Sequence, residues 1–169
     1  MIRHAQERDL PEILEIYNEA IIHTTTVYEC NPRTLEDRLE WYREKQKIDF
    51  PVIVYEENST VLGFATFSQF GALSGFKFTV KDSVYVHKKH RCNYVGTKLL
   101  KELIEIANKS NYATMVAEID DGNESSKIMH EKVGFKNAGT IRKVGYKFGT
   151  WLDLAVYQYE LKGTKVPGG

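Results

Sequence analysis

Apolar residues recur along this chain at two periods, and the change from one to the other divides it into elements. From Asp9 onward, Ile13, Leu14, Tyr17, Ala20 and Ile21 fall at helical spacing. Asp9 stands at the cap position, with Pro11 in the first turn and Glu12 three residues later. A second helix is predicted from near Thr34 to about Lys45, with Leu35, Leu39 and Tyr42 turned inward. Ile2 to Ala5 reads as a short opening strand. Val52 to Tyr55 and Val61 to Phe70 read as strands of a hairpin about Glu56-Glu57-Asn58-Ser59. Phe78 to Val86 is a further strand, followed by a helix from Gly96 to Lys109 and a strand from Ala113 to Ile119. A short helix begins near Asn123, with Ile128 and Met129 facing the core, and stops at Gly134-Phe135. A strand to about Arg142, an aromatic loop from Lys143 to Thr150 and a last strand from Trp151 to Leu161 complete the pattern.

Two helices, a run of hairpin strands, then strand–helix–strand–helix–strand–strand predicts a mixed α/β (α+β) sheet with helices on both faces. Without repeats, low-complexity tracts or a linker, residues 1–161 read as one domain and 162–169 as a frayed tail. The doubly wound nucleotide folds alternate strand and helix from the start, which this chain does not. Neither G-x-G-x-x-G nor a GKS/GKT ending is present, so both common nucleotide motifs are excluded. At 169 residues the chain is long enough for a sizeable core.

Charge narrows the partners. Twenty-three basic residues balance 23 acidic ones, which speaks against a nucleic-acid surface. No apolar run reaches membrane-spanning length, and MIRHAQERDLPE lacks the apolar core of a signal peptide. Cys30 and Cys92 suit a reduced, cytoplasmic protein better than a disulfide scaffold. No Cys/His grouping has structural-zinc spacing, so no metal is expected. The basic residues are concentrated locally, in His87-Lys88-Lys89-His90-Arg91, between a strand and the Gly96 helix. That order presents unpaired helical amides, and the positive end of the helix dipole, to an anion. A phosphate-bearing ligand and a merely solvated basic loop both fit this pattern.

The chain resembles the GNAT superfamily of N-acetyltransferases, most closely its phosphinothricin/methionine-sulfoximine acetyltransferase-like branch. The resemblance rests on Tyr17 to Ile21 with Thr25-Thr26, on Thr34 to Glu36 with Arg38 and Trp41, and on Phe78 to Val86 with the loop to Gly96. It continues through Asn123 to Ser126, His130 to Phe135 and Gly145 to Asp153. It implies a GNAT acyl-CoA N-acyltransferase fold with a mostly antiparallel central sheet. It also implies acetyl-CoA as co-substrate, a primary amine of an amino-acid-like molecule as acceptor, and a homodimer. The strand Val84-Tyr85-Val86 would pair with the pantetheine arm and aim an amide at the thioester carbonyl, worth about 3–4 kcal/mol in the transition state. Arg91, Cys92, Asn93, Tyr94, Val95 and Gly96, with Thr97, would cradle the pyrophosphate, and Asn123 and Ser126 would meet the arm from the next helix.

Two positions depart from the family pattern. Tyr94 replaces the first loop glycine; its amide can still donate from an αR-like conformation, with the ring outward. Lys81 stands where the branch commonly has Glu, beside Asp82. Neighbours on a regular strand face opposite sides, so Asp82 can replace that carboxylate only through a β-bulge or a water. The alternatives are another base or lost acid–base efficiency. His130, matched to a branch histidine, is a second candidate base or substrate-orienting group. The acceptor pocket is expected from Thr25 to Tyr28, Phe70 to Phe78 and Lys143 to Trp151. Within it, Phe76, Phe78, Tyr146 and Trp151 would serve as walls, or else as core and interface aromatics, and Lys77 or Lys147 as carboxylate partner. Tyr85 and Tyr146 are conceivable general acids. Acetylation of a protein N-terminus or another metabolite amine, and a degenerate acyl-CoA-binding module, are the rival functions.

Overall fold

The computed structural model describes residues 1–91 and 93–163. Cys92 and most of the expected tail therefore lie outside the described residues. Strand β1 (Ile2–His4) is followed by a 3₁₀ turn and helix α1 (Leu10–His23). Asp9 does not cap α1 with its side chain. The carboxylate turns back to accept from the Gln6 amide at 2.7 Å and from both Arg3 Nη atoms at 2.7 and 2.9 Å, tying β1 to the helix start. Helix α2 (Leu35–Lys47) starts from a capping box in which Thr34 and Asp37 exchange side-chain-to-amide bonds. Its buried stripe is Arg38, Tyr42 and Lys45, whereas Leu35, expected inward, is half exposed.

Strands β2 (Val52–Glu57) and β3 (Thr60–Gln69) form the predicted hairpin. Asn58 and Ser59 at its tip both hold positive φ, as a two-residue mirror-image turn requires. Leu62 is an extra residue in β3, so it joins the same core as Ala65 while Val61 and Phe64 join the other. β4 (Thr79–Val86), α3 (Val95–Lys109), β5 (Thr114–Asp120) and α4 (Glu124–Val133) follow. Gly134 ends α4 at φ +120°, where a Cβ would stand 3.1 Å from the Tyr159 ring. Ile128 of α4, expected in the core, is exposed; Met129 packs inward.

β6 (Lys136–Lys147) and β7 (Thr150–Glu160) form the closing hairpin. Here the predicted loop from Lys143 to Thr150 is wrong: β6 runs on to Lys147 and turns at Phe148-Gly149. Two register shifts break its alternation, and nearly the whole strand is exposed, so it carries no period-two signal.

The sheet is seven-stranded, in the order β1-β2-β3-β4-β5-β7-β6, and every pairing except β4–β5 is antiparallel. One core, around Phe67, Leu99, Leu103, Met115 and Phe135, lies between the sheet and α3 and α4. The other, around Leu10, Ile13, Tyr42, Val54 and Phe64, lies under α1 and α2. The mixed sheet with helices on both faces is as predicted.

Candidate functional site

The two parallel strands part company. Of eight residues in β4 and seven in β5, only Thr79, Val80 and Lys81 pair, with Thr114, Met115 and Val116. Beyond Lys81 the strands diverge into a wedge, leaving the β4 edge from Asp82 to Val86 without a β5 partner. Residues from both faces line this small opening. Asp82 and His130 come from the α4 side, and Ser83, Tyr85 and Glu118 from the α1/α2 side. The wedge thus passes through the sheet.

A larger cleft of ≈ 690 Å³ opens from the wedge over the start of α3. Val84, Tyr85 and Val86 form one wall, Tyr94, Gly96 and Thr97 the floor, Asn123 and Ser126 the far wall, with Thr24 to Thr26 closing one side. Tyr94 at the cap position of α3 makes no side-chain cap, so among the described residues no side chain accepts from the first-turn amides at the cleft. Gly96 lets α3 approach this close: a Cβ there would stand 2.9 Å from Met129 Sδ and 3.4 Å from Val86 Cγ2. Tyr94 sits at φ +60°, left-handed and not αR as expected, with its ring 75% exposed. Arg91 is held at the rim by Glu19, 2.5 Å away. Asn123 caps α4, accepting from the Ser126 amide at 3.2 Å, while its Nδ2 reaches Thr26 Oγ1 at 3.4 Å.

At the inner end of the wedge, His130 Nε2 lies 3.1 Å from Asp82 Oδ2, both groups buried. His130 Nδ1 lies 2.8 Å from the Ser126 carbonyl, which can only accept, so Nδ1 carries a hydrogen. Nε2 therefore faces the carboxylate either with a proton, as an ion pair, or without one, as opposed lone pairs. Burial alone would lower the His130 pKa; the hydrogen bond and charge of Asp82 outweigh it, and the net shift is upward. Asp82 Oδ1 is buried with no partner. The bulge invoked for Asp82 is absent: β3 and β4 pair without interruption from Gly63–Val86 to Gln69–Val80. Asp82 keeps its regular face and meets His130 there. Lys81, on the opposite face, pairs with Glu118 at 2.8 Å.

Of the residues expected to bind the co-substrate, the large cleft brings together Val84, Tyr85, Val86, Arg91, Tyr94, Gly96, Thr97, Asn123 and Ser126. Asn93 does not line it, and Val95 is buried beneath it. The acceptor residues are scattered. Phe76 packs on Phe70, Lys77 lies over the Phe78 ring, and Tyr146 stands exposed against Trp151, none of them lining the described clefts. Lys147 is buried and donates to the Thr24 and Val27 carbonyls at 2.8 and 2.7 Å, so it fastens the loop and is not free for a carboxylate. Asp120, unremarked in the sequence, anchors the same loop by accepting from Thr25 Oγ1 at 2.7 Å, with the Tyr28 hydroxyl at 3.1 Å. A second cavity of ≈ 310 Å³ on the α1/α2 side, lined by Arg38 and Lys45, was also missed. Its signal was there to read: cations at positions 38 and 45 share a helix face with Tyr42.

The family model described as an acetyltransferase (GNAT) domain matches residues 2–156. The chain is 39% identical to an L-methionine sulfoximine/L-methionine sulfone acetyltransferase of Salmonella typhimurium, over 98% of this chain and 97% of that one. A Salmonella typhimurium acetyltransferase structure with its cofactor acetyl-CoA superposes at TM-score 0.96, with 39% identity over 99% of this chain and 97% of that one. A ribosomal-protein-alanine N-acetyltransferase structure from Brucella melitensis gives 0.94, with 39% identity over 95% and 99%.

Proposed function

The chain belongs to the GNAT acetyltransferase family, and from that premise we propose that it acetylates the primary amine of a small amino-acid-like molecule. Acetyl-CoA is the acyl donor, and acceptors of the methionine sulfoximine, methionine sulfone or phosphinothricin type are the class intended. The observation that carries this reading is the wedge between β4 and β5, open from one face of the sheet to the other. Such an opening lets a thioester and an amine meet from opposite sides.

In this reading Tyr94, Gly96 and Thr97 hold the pyrophosphate at the α3 N-terminus, and the free edge of β4 from Val84 to Val86 takes the pantetheine arm. Asn123 and Ser126 flank the arm. A β4 amide donates to the thioester oxygen as negative charge develops there. The acceptor arrives as an ammonium and must lose a proton before its nitrogen can attack. Asp82 and His130 accept that proton, directly or through a water at the unpartnered Asp82 Oδ1. The new C–N bond forms, the C–S bond breaks, and the second nitrogen-bound hydrogen leaves as the CoA thiolate is protonated. The transfer proposed is direct, without an acyl-enzyme: Cys30 is exposed and does not line the wedge, and Cys92 lies outside the described residues.

The exposed free thiol of Cys30 supports a reducing, cytoplasmic setting. No helix of the described residues is long and apolar enough to cross a membrane. We also take two copies to pair through the β6–β7 hairpin, where Ile141, Val144, Tyr146, Phe148 and Trp151 are exposed.

CoA release measured with methionine sulfone, methionine sulfoximine, phosphinothricin, the common amino acids, polyamines and alanine-initiated peptides tests the function. Turnover with the sulfone or sulfoximine is the expected result. Turnover confined to peptides would replace it with protein N-terminal acetylation, which the Brucella melitensis likeness keeps in view. Acetyl-CoA binding without turnover on any amine would make the chain a binding module.

A further inference from the structure

Arg38 is a buried cation facing an open cavity. It is 5% exposed, its guanidinium lies between the rings of Tyr17 and Trp41 at 4.2 and 4.4 Å, and its Nε has no hydrogen-bond partner. A guanidinium so placed needs a compensating acceptor, and carboxylate geometry suits its fork. The two carboxylates of the cavity wall are engaged elsewhere, Glu29 with Arg33 and the Tyr17 hydroxyl, Asp37 with the Thr34 amide. Lys45 adds a second buried cation, its Nζ donating to the Phe67 carbonyl at 2.6 Å.

The cavity of ≈ 310 Å³ is of small-molecule size, and Ser83 and Tyr85 of β4 form its wall toward the wedge. Tyr17 links the two, with its ring 5.2 Å from that of Tyr85. We infer that this cavity receives the carboxylate of the amino-acid acceptor, held by the Arg38 fork. The inference rests on the proposed amino-acid acetyltransferase function. An α-amine is one carbon away from its carboxylate, so fixing the latter fixes the nitrogen. The acceptor then enters from the α1/α2 side, while the donor lies over α3 on the other.

The test compares kcat/KM for L-methionine sulfone, its carboxamide and the decarboxylated amine, 3-(methylsulfonyl)propylamine, on the purified full-length chain. Wild type is expected to favour the acid by about 100-fold, and Arg38→Gln to reduce that preference to a few-fold. Arg38→Lys, which keeps the charge but not the fork, should fall between. Acetyl-CoA affinity and circular dichroism report whether each variant is folded. A wild-type enzyme indifferent to the carboxylate overturns the inference even if neither variant folds. So does Arg38→Gln if it slows all three substrates equally, since the residue then only supports packing. Turnover of none of the three, with peptides acetylated instead, overturns the function itself and the inference with it.

Discussion

Asp82 and His130 illustrate how burial and charge compete at one site. With Nδ1 fixed on the Ser126 carbonyl, the deprotonated pair sets a lone pair against a carboxylate at 3.1 Å, which makes His130 more basic than a free imidazole. At saturating acceptor, kcat should therefore rise with pH along a limb centred above 6.5. His130→Gln should remove the limb and lower kcat by about 100-fold or more. Asp82→Asn should move the limb below 6.5, because burial is then the larger remaining influence. An unmoved limb in Asp82→Asn would show that another group takes the proton. The same shift predicts stability. A raised folded pKa stabilises fully below the unfolded value and ceases to do so as pH climbs through the folded one. Urea melts should thus separate wild type from His130→Gln most at about pH 5.5 and least at about pH 9.

The start of α3 joins a close packing contact at Gly96 to an unusual backbone angle at Tyr94. Gly96→Ala pushes a Cβ against Met129 Sδ and Val86, so it should cost about 1–3 kcal/mol and weaken acetyl-CoA binding. The close atom is the flexible end of the Met129 side chain, so the loss of stability should fall at the low end of that range. Calorimetric titration with acetyl-CoA and urea melts of Gly96→Ala measure the two effects. Tyr94 is the opposite case. Its left-handed φ costs a non-glycine residue about 1–2 kcal/mol, and its ring is exposed. Tyr94→Gly should raise stability by about 0.5–1 kcal/mol after the added unfolded-state entropy, with acetyl-CoA affinity equal or better. A destabilised Tyr94→Gly would mean that the ring packs on something in solution.

For the molecule as a whole, the sheet has a closed end, an opening in its middle and a free edge. Toward β1 it is closed by antiparallel pairing and covered by two cores; at β4–β5 it opens, and both clefts gather there. Its far edge, β6, is long, exposed and apolar in places, an arrangement that invites pairing with another chain. Light scattering at micromolar concentration should give the mass of a dimer. Replacing both Tyr146 and Trp151 by Arg should give a folded monomer, since both side chains are largely exposed in the single chain. A monomeric wild type would remove the dimer from the proposal.

The sequence alone determined most of the elements, because period and capping are local properties. The stripe of α3, most of that of α1 (Ile16 is buried where Leu14 was expected), the hairpin at Asn58-Ser59 and the stop at Gly134 follow from neighbours a few residues apart. It also marked the basic loop before α3 and the strand beside it. Leu35 and β6 were misread where exposure or register breaks erased the pattern. Only the tertiary structure decided which partners met. The face of Asp82 was legible, but not that His130, 48 residues on, waits on it. Nor did alternation reveal that β4 and β5 separate after Lys81, or that Lys81 itself answers Glu118. A strand's pattern fixes which way a side chain points; what it finds there depends on how distant elements pack.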